Sequence, residues 1–264
     1  MTGDSDSMPT LEDDLLDRLR QEGLLGPFAA VDQAGRTHPG LVRDRNEDAL
    51  ATTDRLFVVA DGMGGQPAGD IASRVAVSVL AGGEEPTDES TVRRKMEQAN
   101  VEVARKADEL GLERIGTTLV AAVCLPTHAV ITSVGDSRCY RFRDGVLEQL
   151  TVDHNVRNEL LNSGVPVERA VEAGIRLDLL TSYLGMSDGE VPFVYSATYG
   201  LQAGDRFLLC SDGVHGCLQE GTLIKALRGS TCEEAVDAIL QSVLAAGATD
   251  NATAVVFEVG DREH

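Results

Sequence analysis

The sequence predicts an α+β fold, and three features predict it. Apolar and β-branched runs are joined by short turns into local hairpins, at residues 48–60, 116–134 and 137–150. Helical stretches stand apart from these, at 70–80, 87–110, 219–228 and 231–246. Several strands end on an aspartate, usually beside glycine. Val58-Val59-Ala60-Asp61-Gly62-Met63-Gly64-Gly65 sets the pattern: a buried strand delivers Asp61 at a fixed height. Gly62 has no Cβ, so the chain can turn there with its carbonyl exposed. An acid beside an accessible carbonyl is a hard oxygen pair that suits magnesium or manganese.

Composition narrows the rest. The 264 residues suffice for one large domain or two small ones. Hydrophobic residues make up 42 % and aromatics only 4 %, with no Trp, so the core must be built of Val, Ala and Leu. The 23 basic against 43 acidic residues leave a formal charge of −20, which argues against nucleic acid or an anionic membrane as partner. An anionic substrate would be repelled unless cations reverse the field locally. Cys124, Cys139, Cys210, Cys217 and Cys232 show no paired spacing and predict buried thiols in a reducing compartment, the cytoplasm. The acidic start lacks a secretory pattern, and no apolar run approaches the roughly 18 residues of a membrane span.

In order along the chain, residues 1–26 form an acidic extension. Thr10 can cap a short amphipathic helix over 10–22 with Leu11, Leu15, Leu16 and Leu19 in one stripe, either packed on its own domain or serving as a docking arm. A strand over 28–33 gives way to turns up to Gly40. Asp44, Asn46 and Asp48 have the spacing of a calcium loop, but Ala49 and Arg55 stand where that loop needs Gly and Glu. The hairpin of 48–53 and 56–60 delivers Asp61, and Gly82-Gly83 stops the helix that follows. Strands over 116–123 and 129–134 lead into Gly135-Asp136-Ser137-Arg138, and a hairpin turns at Asp144-Gly145. Residues 154–192, with a helix over 155–161 and weak patterning after it, read as an inserted flap. Strands at 193–197 and 206–210 follow, the second running into Ser211-Asp212-Gly213. Thr249-Asp250-Asn251 opens a last strand over 252–259.

Asp61, Asp136, Asp212 and Asp250 thus hold equivalent places at strand edges, and only a folded sheet can bring them together. Like charges disfavour one another's ionisation, and divalent cations are the usual remedy. With no His or Cys ligand nearby, the donor set favours Mg²⁺ or Mn²⁺ over zinc. Arg43 offers a planar fork for phosphate. His154 and His215 read as structural. A haloacid-dehalogenase-like site lacks its second acid after Asp61, and neither a P-loop nor a Gly-x-Ser-x-Gly elbow occurs.

Arg43…Asn46-Glu47-Asp48, Asp61-Gly62-Met63-Gly64-Gly65, Gly116-Thr117-Thr118, Gly135-Asp136-Ser137-Arg138, Leu150-Thr151-x-Asp153-His154, Ser211-Asp212-Gly213 and Asp250-Asn251 stand in the order of the type 2C metal-dependent Ser/Thr protein phosphatases. The resemblance spans the domain over 27–260, and Met63 resembles the bacterial branch. It implies a four-layer αββα sandwich of two antiparallel sheets flanked by helix pairs. It implies a monomer that hydrolyses phosphoserine and phosphothreonine in proteins with a water bridging two Mn²⁺ or Mg²⁺ ions, opposing a Ser/Thr kinase in a bacterium. Asp61 would bridge the ions, Gly62 would offer its carbonyl, and Asp212 and Asp250 would complete the set. Glu47 and Asp48 would hold metal-bound waters, Arg43 the phosphate, and Asp136 a third, weaker ion shared with Asp212. Met63 replaces a His of other branches, Asn155 a common Ser, and Ser182 a basic residue. A phosphatase-like scaffold that only binds phosphoproteins is the alternative; such chains usually lack a metal aspartate, and here all are present.

Overall fold

A computed structural model describes residues 26–63, 68–113, 115–186, 192–229 and 231–262. The helix expected over 10–22 lies outside them. β2 (Asp48–Thr52) and β3 (Leu56–Met63) form the expected hairpin, with Asp48 directly opposite Asp61. β3 then pairs with β4 (Gly116–Thr117) and β5 (Leu119–Cys124), and β5 with β6 (His128–Val134). β9 (Tyr195–Gly200) closes this sheet in the order β2-β3-β5-β6-β9. The run expected as one strand over 116–123 is broken at Thr118, whose N–H turns to the Asp61 carbonyl (2.9 Å).

The second sheet has the order β1-β11-β10-β7-β8, with β1 (Phe28–His38), β7 (Arg138–Arg143), β8 (Val146–Gln149), β10 (Arg206–Cys210) and β11 (Ala252–Asp261). β1 extends well beyond the expected Gln33. It pairs with β11 from Phe28↔Asp261 to His38↔Ala252, so ladder hydrogen bonds override the local turn signals. β9 likewise starts later and ends later than the expected 193–197, following its pairing with β6.

The two sheets face each other across Phe57, Phe207 and Phe257. These rings are fully buried and stacked, with centroids 3.9 Å apart for Phe57–Phe257 and 4.8 Å for Phe207–Phe257. α1 (Gly69–Ala81) and α2 (Glu89–Leu110) cover the outer face of the first sheet through Ala72, Ala76, Met96 and Val103. Asp88 caps α2 by accepting from Thr91 N–H, and Gly111 ends it in the left-handed region. α6 (Glu220–Leu227) and α7 (Cys232–Ala245) cover the second sheet through Leu223, Val236, Ile239 and Val243. This is the four-layer sandwich, with helices outside and sheets within.

Between β8 and β9 lie α3 (Val156–Asn162), capped by Asn155, and α4 (Val167–Glu172), which the sequence pattern missed because it is short and buries only Ala170. The segment returns to the sandwich where Thr117 and Leu184 exchange backbone hydrogen bonds of 3.1 and 2.9 Å. Four cysteines are buried free thiols; Cys217 is exposed, contrary to expectation, because it follows the short helix α5 (Asp212–His215) on the surface side. No helix among the described residues is long and apolar enough to cross a membrane.

Candidate metal and phosphate site

The functional side chains collect at one end of the sandwich because strand ends and turns of both sheets meet there. Asp61 is fixed through its backbone. Its N–H donates to Thr118 Oγ1 (3.1 Å), and its carbonyl accepts from Thr118 N–H and Thr117 Oγ1, both at 2.9 Å. Its carboxyl is thereby left to face the other acids. Burial, then Asp48, Asp212 and Asp136, push its pKa well above the usual aspartate range. Asp61 and Asp212 lie within hydrogen-bond reach, and that bond favours the proton on Asp61.

Asp48 is buried. Its Oδ2 accepts from Ser211 Oγ (2.8 Å) and Thr253 Oγ1 (2.6 Å), while its Oδ1 is buried without a partner. Burial raises its pKa to about 6, against the lowering by those two hydroxyls, with Asp212 and Asp250 adding to the rise. Asp136, in the turn between β6 and β7, is raised to about 7 by burial, then by Asp212 and Asp153. Asp212 opens α5 and is raised by burial and then by Asp250. Glu47 is raised by burial and then by Asp70, an acid on α1 that sequence reasoning did not place near the site.

Two glycines make room that no other residue would leave. A Cβ on Gly62 would lie 2.1 Å from the Gly69 carbonyl oxygen and 2.6 Å from that of Glu47. A Cβ on Gly69 would fill the hollow between the Glu47 carboxyl and the Gly62 carbonyl, approaching each to 2.9 Å. Asn251 ties the arginine-bearing loop to the site: Nδ2 donates to the carbonyls of Pro39 (2.9 Å) and Arg45 (2.8 Å), and Oδ1 accepts from Glu47 N–H (2.8 Å). Arg43, half exposed, donates from Nη2 to Asp250 Oδ2 (2.6 Å), and that bond raises the guanidinium pKa.

All the predicted site residues therefore fall in one region. Their placement differs in two respects: β3 runs on through a buried Gly62 to Met63, paired with β4, instead of turning at Gly62, and Arg43 rests on Asp250. Among the described residues, no three His, Cys, Asp or Glu side chains stand close enough to enclose one ion. Arg43 engages one oxygen of Asp250, and the hydroxyls of Ser211 and Thr253 engage one of Asp48. The donor set still fits a hard divalent cation: several carboxylates, the unpartnered Asp48 oxygen, and the hollow over Gly69 beside the Gly62 carbonyl. Thr118, Ser137 and Ser211 were visible in the motifs without a role, since only the fold shows what their hydroxyls meet. Thr253, an ordinary β-branched strand residue in sequence, gave no signal.

A model of the family described as protein phosphatase 2C matches residues 42–255. A Listeria monocytogenes protein named serine/threonine phosphatase stp is 34 % identical over 238 residues, covering 84 % of this chain and 94 % of that one. The Mycobacterium tuberculosis protein PstP, named a serine/threonine protein phosphatase, is 32 % identical over 236 residues, 88 % of this chain but 45 % of that protein. Among solved structures, PppA of Pseudomonas aeruginosa, described as a key regulatory component of T6SS, superposes with a TM-score of 0.77 at 32 % identity, covering 90 % of this chain and 99 % of that one. The catalytic domain of PstP, crystallised with two manganese ions, gives 0.76 at 32 % identity, covering 89 % and 100 %. The sandwich, the strand-end acids and these likenesses agree: the chain belongs to the protein phosphatase 2C family of protein serine/threonine phosphatases.

Proposed function

We propose that the chain dephosphorylates phosphoserine and phosphothreonine in proteins with two bound Mg²⁺ or Mn²⁺ ions, opposing a Ser/Thr kinase in a bacterial cytoplasm. The observation that carries this reading is the buried acid cluster. Burial raises the pKa of Asp48, Asp61, Asp136 and Asp212, Asp212 adds to the rise at the other three and Asp250 to that of Asp212, and Arg43 is the cation bonded to Asp250. Such a cluster is a poor phosphate site and a good cation site.

Asp61, the Gly62 carbonyl, Asp212 and Asp250 would hold the two ions, and Asp136 with Asp212 a weaker third. When bound, the ions supply a water acidic enough to attack at neutral pH and offset the negative charge of the phosphate. Glu47 and Asp48 would hold waters bound to those ions, and Asp48 has one buried oxygen without a protein partner to do so. Arg43, half exposed and bonded to Asp250, would offer its fork to the incoming phosphate. Residues 27–260 form the phosphatase domain, 154–192 its flap and 1–26 an extension; the family match over 42–255 supports the first of these.

Hydrolysis of an aryl phosphate and of a phosphothreonine peptide, with Mn²⁺ and with excess chelator, tests the reading. Both substrates turn over with Mn²⁺ and neither with chelator. Full activity in chelator overturns it.

A further inference from the structure

Three elements hold the turn that carries Asp136, each through a different residue. Gly135 N–H donates to His154 Nδ1 (3.2 Å), and the Gly135 carbonyl accepts from His154 N–H (2.9 Å). Ser137 Oγ shares a hydrogen bond with Thr118 Oγ1 (2.7 Å), the same oxygen that accepts from Asp61 N–H. The Asp136 carbonyl lies 2.9 Å from His215 Nε2. A carbonyl can only accept, so Nε2 carries the proton.

His215 ends the helix that Asp212 begins. The β7–β10 ladder stops at the pair Arg138↔Cys210, two residues short of Asp136 on one side and of Asp212 on the other. His215 carries the connection past the ladder's end. The rest of the turn has little freedom. Gly135 has φ +92°, and a Cβ there would meet Thr118 Cγ2 at 2.6 Å.

We infer that His215 is a positioning residue that sets the spacing of the Asp136 and Asp212 carboxylates. This rests on the proposed reading of those two acids as the ligands of a weaker third ion. The hydrogen bond comes from a partly buried ring and reaches the Asp136 backbone, not its carboxyl.

The test is stepwise Mn²⁺ binding to the metal-stripped full chain, followed by electron paramagnetic resonance of the free ion. Wild type, His215→Gln and His215→Leu are compared, with thermal unfolding of each. The Gln amide can donate to the same carbonyl; the Leu side chain cannot. In His215→Leu the weakest binding step loses about tenfold or more, the size usual for removing a group that orients a ligand. The tighter steps stay as in wild type, and His215→Gln recovers most of the loss. An unchanged weakest step in His215→Leu overturns the inference, as does an equal loss in both variants. Should His215→Leu fail to fold, His215→Asn, whose amide is too short to reach, takes its place under the same criteria. If wild type binds no ion beyond two, the reading of Asp136 as a ligand fails and this inference fails with it. Three ions in wild type, with all steps undisturbed in the variants, sink the inference alone.

Discussion

Replacing Asp136 by Asn trades function for stability in a way that pH exposes. In an unfolded chain Asp136 titrates near 3.8; in the folded protein burial and Asp212 hold it at about 7. Below pH 3.8 the carboxyl is protonated in both states and carries no penalty. Between that value and 7 the unfolded chain ionises while the folded one must keep its proton, so stability falls as pH rises. Above 7 the loss is complete. A gap of about three pH units corresponds to roughly 4 kcal/mol. Asp212, the first acid acting on Asp136, can take up a proton in its place, so about 2–4 kcal/mol is expected. Asn keeps the size, removes the charge and can donate toward Asp212. In chelator at pH 8 the Asp136→Asn variant should therefore unfold roughly 5–15 °C above wild type. At pH 3.5 the two should coincide. Scanning calorimetry at three pH values measures this, and Mn²⁺ should narrow the gap by stabilising the wild type more. Equal gains at pH 3.5 and 8 would mean that repacking, not charge, is responsible; no gain at pH 8 would refute the argument.

Other perturbations separate the remaining roles. Asp61→Asn or Asp250→Asn should remove nearly all Mn²⁺-dependent hydrolysis; activity within about tenfold of wild type would take the residue out of the ligand set. Arg43→Ala should raise KM more than it lowers kcat, because it removes ground-state binding of phosphate, and unchanged kinetics would leave Arg43 as a surface partner of Asp250. Gly213→Ala would place a Cβ 1.9 Å from the Asn251 carbonyl oxygen, so the helix of Asp212 must shift. A loss of about 3 kcal/mol or more is expected in urea unfolding, and a wild-type midpoint would show that the backbone yields easily. Removing residues 1–25 should leave aryl-phosphate hydrolysis intact; a truncated chain that fails to fold would make the leucine stripe part of the core.

The acids of the site were legible because each sits at a place where sequence period and chemistry coincide. An apolar strand run that ends on Asp next to Gly can be read without knowing what the strand pairs with, as at Asp61 and Asp212. The hairpin placing Asp48 opposite Asp61 was equally local. What stayed hidden depends on long-range register. β1 past Gln33 has the polar, turn-like composition of a loop and is a strand because β11 lies beside it. Thr253 reaches Asp48 across 205 residues of chain, and Asn251 reaches Pro39 across 212. The four-residue helix after Ser211 is too short to leave a period in the sequence. His215 likewise shows its partner only when the Asp136 carbonyl is in view.

The bond between Arg43 and Asp250 is an interlock. Asp250 Oδ1 is taken by Asn251 N–H and Oδ2 by Arg43, so the carboxylate has both oxygens engaged. Whatever cation draws Asp250 inward loosens the guanidinium and frees it to face outward. The converse holds as well: an anion that claims Arg43 leaves Asp250 uncompensated beside Asp212, whose own charge Arg43 had been offsetting. That excess of negative charge invites a cation. Cation and anion are thus each other's helpers at this rim, by equal amounts in free energy. On the proposed reading of Arg43 as the phosphate ligand, a chain with a formal charge of −20 would in this way hold that arginine in reserve until the charge behind it has been reversed.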